Sequence, residues 1–187
     1  MIKEKEKCEI ISHRMGQSTS RIAQLDIHIG NYQVMTLVAY IYSHFINTQL
    51  NKEKDFFRKK VNNLVQDNII NMFKRQGMPI SDKQSYKAGL SSCLQEWNDQ
   101  HMTISSNKDT YKTTTTMICN YFDSENIDFS ESHKQSIYNI LKEESLKNED
   151  EVWDDYSKAA SSSGCMVVFM LLSSSIMSLI YFFIVLA

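Results

Sequence analysis

The clearest signal along the chain is hydrophobic spacing that returns every three or four residues. Between Asn51 and Gln76, Phe57, Val61, Leu64, Val65, Ile69, Met72 and Phe73 recur at that interval, with Asn62, Asn63, Gln66, Asp67 and Lys74 between them. Such spacing lines one face of an α-helix and predicts an amphipathic helix there. Gly77 and Pro79 follow as a stop, and Ser81 with Gln84 has the form of a capping box for the next helix, on which Tyr86, Leu90, Cys93, Leu94 and Trp97 face inward. The short break between the two predicts a helical hairpin.

Asn31 to Leu50 is more uniformly apolar. Val34, Leu37, Val38, Ile41 and Phe45 share a face, and Met35, Tyr42 and Ile46 widen it. The segment reads as the central buried helix; the rival, a second membrane span, is disfavoured because its strongly apolar part falls short of the roughly 17 residues that spanning requires. Thr110 to Phe122 is read as a helix, although Thr113 to Thr116 also suit a strand, because no second strand is evident to pair with it. Asp128 and Glu131 mark a further capped start, with Ile137, Ile140 and Leu141 as the apolar face.

The last 23 residues, Cys165 to Ala187, follow a different rule. From Ala159 onward the chain has no charged side chain, and thirteen Val, Leu, Ile and Phe residues lie between positions 167 and 186. As a helix the segment would rise about 34 Å at 1.5 Å per residue, enough to cross a hydrocarbon core of about 30 Å. A soluble helix of this length normally keeps a polar stripe, and here only serines interrupt it. Ser174 and Ser178 form a small-xxx-small pair suited to close approach of another helix, or are simply tolerated by bonding back to carbonyls one turn earlier. Cys165 sits at the expected boundary, where acylation is the further option.

The expectation is therefore an all-α protein: about five helices in a soluble domain, then one C-terminal transmembrane helix. Its parts are a polar N-terminal segment 1–30, a helical cytoplasmic domain 31–148, an acidic to Ser-rich juxtamembrane linker 149–164, and the anchor 165–187. The first 30 residues are rich in charge and carry no apolar run of the secretory kind, which predicts a single-pass, tail-anchored protein with its N-terminal domain in the cytoplasm. One proline and five glycines in 187 residues fit helices better than the repeated turns of an all-β domain. Sixteen lysines against four arginines, with frequent Asn, Ile and Ser, point to A/T-rich coding and a microbial or viral source.

A net charge of −2 gives no general attraction to nucleic acid. Charge is nevertheless uneven. Residues 51–76 hold seven Lys and Arg against three acids, whereas residues 123–155 hold eleven acids against three lysines, so the two segments are expected to attract each other. Lys52, Lys54, Arg58, Lys59 and Lys60 are the candidate contact for lipid headgroups or a partner, set against the plainer reading of a solvated helix face. Cys8, Cys93, Cys119 and Cys165 have no metal or redox spacing and read as reduced thiols.

The five histidines form no zinc or di-iron motif, with His44 and His101 expected at the edge of the core, and no phosphate-binding loop or serine-hydrolase elbow occurs. No cofactor, metal or catalytic residue is expected on these grounds. The functional expectation is a non-enzymatic helical module, acting through a protein partner or self-association at the cytoplasmic face of a membrane. The alternatives are a microbial immunity or exclusion protein against a membrane-acting toxin, and a membrane-bound enzyme whose site lies around His44, His101 or the acidic segment.

Overall fold

The computed structural model describes residues 4–78, 80–104 and 109–162, and all regular structure among them is helical. Five helices match the sequence pattern: α2 (Asn31–Gln49), α3 (Asp55–Arg75), α4 (Lys83–Ile104), α5 (Thr110–Ser124) and α6 (Glu131–Leu146). Two more lie where none was expected: α1 (Glu4–Ala23) covers most of the presumed polar segment, and α7 (Glu149–Ser162) replaces the presumed linker. The count of about five is corrected to seven among the described residues.

α2 is the centre, packing against α1, α4, α5 and α6. Leu37, Val38, Ile41 and Phe45 are buried as the spacing requires while Val34 is half-buried, and on the expected flank Tyr42 and Ile46 are fully buried and Met35 half-buried. Helices cover it on several sides, which is why its apolar arc is so wide. No helix among the described residues is long and apolar enough to cross a membrane, so α2 is a core helix. Residues 165–187, with Ser174 and Ser178, lie outside the described residues.

α1 hides its amphipathicity because its inner face is sparse in hydrocarbon. Cys8, Ile11, Met15 and Ile22 enter the core, but Arg14, Ser18 and Thr19 are buried beside them. Thr19 donates to the Met15 carbonyl one turn back, at 2.8 Å. Thr19 is thereby satisfied, whereas Ser18 Oγ and Arg14 Nε are buried without a hydrogen-bond partner among the described residues.

Two predicted caps move by a residue or two. At α4, Asp82 rather than Ser81 accepts from the Gln84 amide at 2.9 Å. At α6, Ser130 accepts from the His133 amide while His133 Nδ1 accepts from the Ser130 amide, a reciprocal pair that displaces the expected Asp128 and Glu131. His133 thus takes the place a Glu or Gln normally holds. α3 ends at Gln76, and Gly77 has φ 72°, a left-handed conformation that favours glycine.

Helix directions follow from side-chain pairs. Lys60 meets Glu4, and Asn68 meets Ser12, so α3 runs parallel to α1. Glu149 meets Lys7 and Tyr156 meets His13, so α7 is parallel to α1 as well. Arg58 of α3 donates to Asn47 of α2, which puts the end of α2 beside the starts of α3, α1 and α7. This end is called the tip. α7 leaves it and heads towards the opposite end, the base, where α1 finishes and α2 begins.

Candidate functional site

Three places collect unusual chemistry. The first is a buried hydrogen-bonded chain through the core. His44, fully buried, has Nδ1 2.9 Å from Thr114 Oγ1 and Nε2 2.9 Å from Ser145 Oγ. Ser145 gives its hydroxyl proton to the Leu141 carbonyl at 2.7 Å, so towards His44 it accepts, and Nε2 carries the proton. Nδ1 is then the acceptor for the Thr114 hydroxyl, whose one proton is shared between Nδ1 at 2.9 Å and the Thr110 carbonyl at 3.2 Å and whose oxygen accepts from Trp97 Nε1 at 2.7 Å. Every group in the chain is satisfied with the imidazole neutral. Burial pushes the His44 pKa down from 6.5 to about 3, because the lost hydration outweighs the opposing pull of the Thr110 backbone and the Asp109 carboxylate.

Beside it His101 stacks on Trp97 with ring centroids 4.7 Å apart, and its Nδ1 lies 2.9 Å from Thr113 Oγ1. His44 is therefore the middle of the core rather than its edge. The threonine run that weakened the helix reading supplies the hydroxyls for both histidines. With both ring nitrogens engaged and no exposed surface, His44 in this conformation presents no acid or base to a substrate.

The second place is the junction of α1 with α6 and α7. Lys7, Arg14 and Arg21 stand seven residues apart on one stripe of α1. Arg14, only 1 % exposed, donates Nη1 to the Glu144 carbonyl and Nη2 to the Lys147 carbonyl at 2.8 Å. These are among the last carbonyls of α6, which have no partner inside the helix, and a cation is favoured at that end. Arg21 reaches Glu144 at 3.0 Å and Glu143 at 2.7 Å, Lys147 lies 2.8 Å from the Glu144 carboxylate, and Lys7 pairs with Glu149.

Three acids of the acidic segment, Glu143, Glu144 and Glu149, are thus paired by cations of α1, and, contrary to expectation, among the described residues no ion pair joins that segment to residues 51–76. The seven-residue spacing of the three cations was the available signal, and their setting in a segment read only as polar concealed it. α7 adds little else to this contact. Val152 is buried level with Ile10, and the Tyr156 ring meets His13 at 6.2 Å. Ile10 and Val152 lie outside the main core cluster. Among the described side chains of α7 only Val152 is fully buried, which contributes roughly 1.5–3 kcal/mol, and Trp153 and Tyr156 are half-buried, so α7 is held by fewer buried side chains than the other helices that pack on α1.

The third place is the tip. Lys52, Lys54, Lys59 and Lys60 are exposed there, while Arg58 is half-buried against Asn47 at 3.0 Å. Lys60 is paired with Glu4 at 3.1 Å. The expected basic group therefore divides, leaving Lys52, Lys54 and Lys59 around Phe56, which is 78 % exposed. Sequence reading placed the lysines but not the phenylalanine, since α3 turns its first turn away from the core.

The open depressions are less informative. One of about 420 Å³ beside the α5–α6 connection is lined by Asp123, Asp128, Glu131 and Lys134, the last two paired at 3.3 Å. Among the described residues no three His, Cys, Asp or Glu side chains converge as a metal site. Burial pushes the thiols of Cys8, Cys93 and Cys119 up to about 11, so none is poised as a thiolate.

Comparison with protein families, curated proteins and solved structures finds no match to this chain.

Proposed function

We propose that the chain is a non-enzymatic, membrane-anchored helical protein that binds another protein at the cytoplasmic face of a membrane, with the tip as its contact surface. The anchor reading rests on residues 165–187, whose uncharged length matches a hydrocarbon core. The free thiols Cys8, Cys93 and Cys119 fit a reducing compartment.

One observation carries the binding half: Phe56, 78 % exposed, stands among Lys52, Lys54 and Lys59 at the end that α7 runs away from. A chain that continues from α7 into a bilayer leaves this end pointing into solution. An exposed aromatic ring among cations is a poor solvent surface and a good interface anchor. The partner that fits is an acidic protein surface with an apolar pocket, and the lysines then steer association rather than hold lipid.

The test is a photo-crosslinking side chain at position 56 of the full chain in native membranes, with Tyr32 as the control, 76 % exposed and at the base. A protein adduct at 56, weakened by Lys54→Glu with Lys59→Glu and missing at 32, supports the proposal. Equal adducts at both positions, or none at 56, would remove the tip as the binding surface.

A further inference from the structure

We infer that α7 is a detachable arm: it swings off α1 about the Lys147–Asn148 elbow while α1 to α6 stay folded, and Arg14 is the residue that holds the elbow bent. The inference concerns the described helices alone and stands whether or not residues 165–187 enter a bilayer.

The attachment is thin and periodic. Glu149 meets Lys7, Val152 sits level with Ile10, and Tyr156 meets His13, about one residue per turn of α7. Among the described residues α1 is the only helix with which α7 makes an extensive contact. Five of its first seven residues, Glu149, Asp150, Glu151, Asp154 and Asp155, are acidic, and of these Glu149 is the one that finds a cation across the interface. Elements with few buried apolar contacts open at lower free energy than the core they rest on.

α7 is also equipped to survive release as a helix. Asn148 accepts from the Asp150 amide at 3.0 Å, and three acids in the first turn match the positive end of the helix dipole. Only Lys147 and Asn148 separate it from α6. The bend is fixed from outside, by the Arg14 guanidinium on the carbonyls of Glu144 and Lys147. Without that clamp those carbonyls are free to accept from amides of the next turn, and α6 with α7 can straighten into one helix.

α7 is about 21 Å long, 14 residues at 1.5 Å each, so swinging it about the elbow moves its far end by up to twice that, about 42 Å. Any body joined to Ser162 is then carried closer to or further from the bundle.

Hydrogen exchange on the full chain tests this. Amides of α7 are expected to exchange at least about 100-fold faster than those of α2 and α5, and faster again when salt rises to about 0.5 M and weakens the Lys7–Glu149 pair. Glu149→Lys and Val152→Asp, which leave the core cluster intact, should speed α7 alone. Arg14→Gln should speed α7 and the last turn of α6 together. If α7 exchanges as slowly as α2, or if Val152→Asp accelerates every helix equally, the arm opens only with global unfolding and the inference fails.

Discussion

His44 shows how a titratable side chain becomes a structural one. Its two nitrogens are matched to one donor and one acceptor, an arrangement that only the neutral ring completes. With a pKa lowered from 6.5 to about 3, the folded state resists a proton that the unfolded chain accepts readily. Stability then rises with pH between those values and is lost as pH falls through them, at about 1.4 kcal/mol per unit for a fully coupled group. Urea unfolding of the wild type followed from about pH 7 to pH 4 should show that slope, and His44→Asn should flatten it. An unchanged slope in the variant would assign the effect elsewhere. Trp97→Phe, which keeps the ring but removes the donor to Thr114, should cost about 1 kcal/mol in the same measurement. None of this was legible in advance. A histidine among apolar neighbours looks the same whether it sits at the edge or the middle, and its partners Thr114 and Ser145 lie 70 and 101 residues away in sequence.

At the scale of elements, legibility followed hydrocarbon content. α2, α3 and α6 were found because their apolar residues recur at helical spacing, and Ile137, Ile140 and Leu141 are buried as read. α1 and α7 were missed because their inner faces mix apolar residues with paired charge, Arg14 on the end of α6 and Lys7 on Glu149, which blurs the apolar period. α5 shows the reverse hazard: four threonines lowered its helix propensity, and tertiary hydrogen bonds explain their use. Its start depends on Asp109, whose Oδ1 accepts from the amides of Tyr111 and Lys112 at 3.0 and 3.1 Å while Oδ2 accepts from the Tyr138 hydroxyl at 3.1 Å. Asp109→Ala should therefore cost about 1–2 kcal/mol in thermal unfolding. Asp109→Asn keeps the cap and should recover most of that loss.

For the molecule as a whole, the sequence announced an all-α body and an uncharged C-terminal stretch, and the described residues supply the direction in which one leads to the other. α7 runs beside α1 from tip to base, so the lysines once weighed as a lipid contact stand at the end from which the chain departs. Charge counts along a sequence do not carry that direction; only the pairing of Lys7 with Glu149 and of His13 with Tyr156 does. The proposal depends most heavily on residues 165–187 holding the bundle at a bilayer. Alkaline carbonate extraction of membranes containing the full chain, beside a version ending at Ser162, addresses it directly. The full chain should remain with the lipid and the shortened one should enter the supernatant; full-length chain released by carbonate would contradict the account.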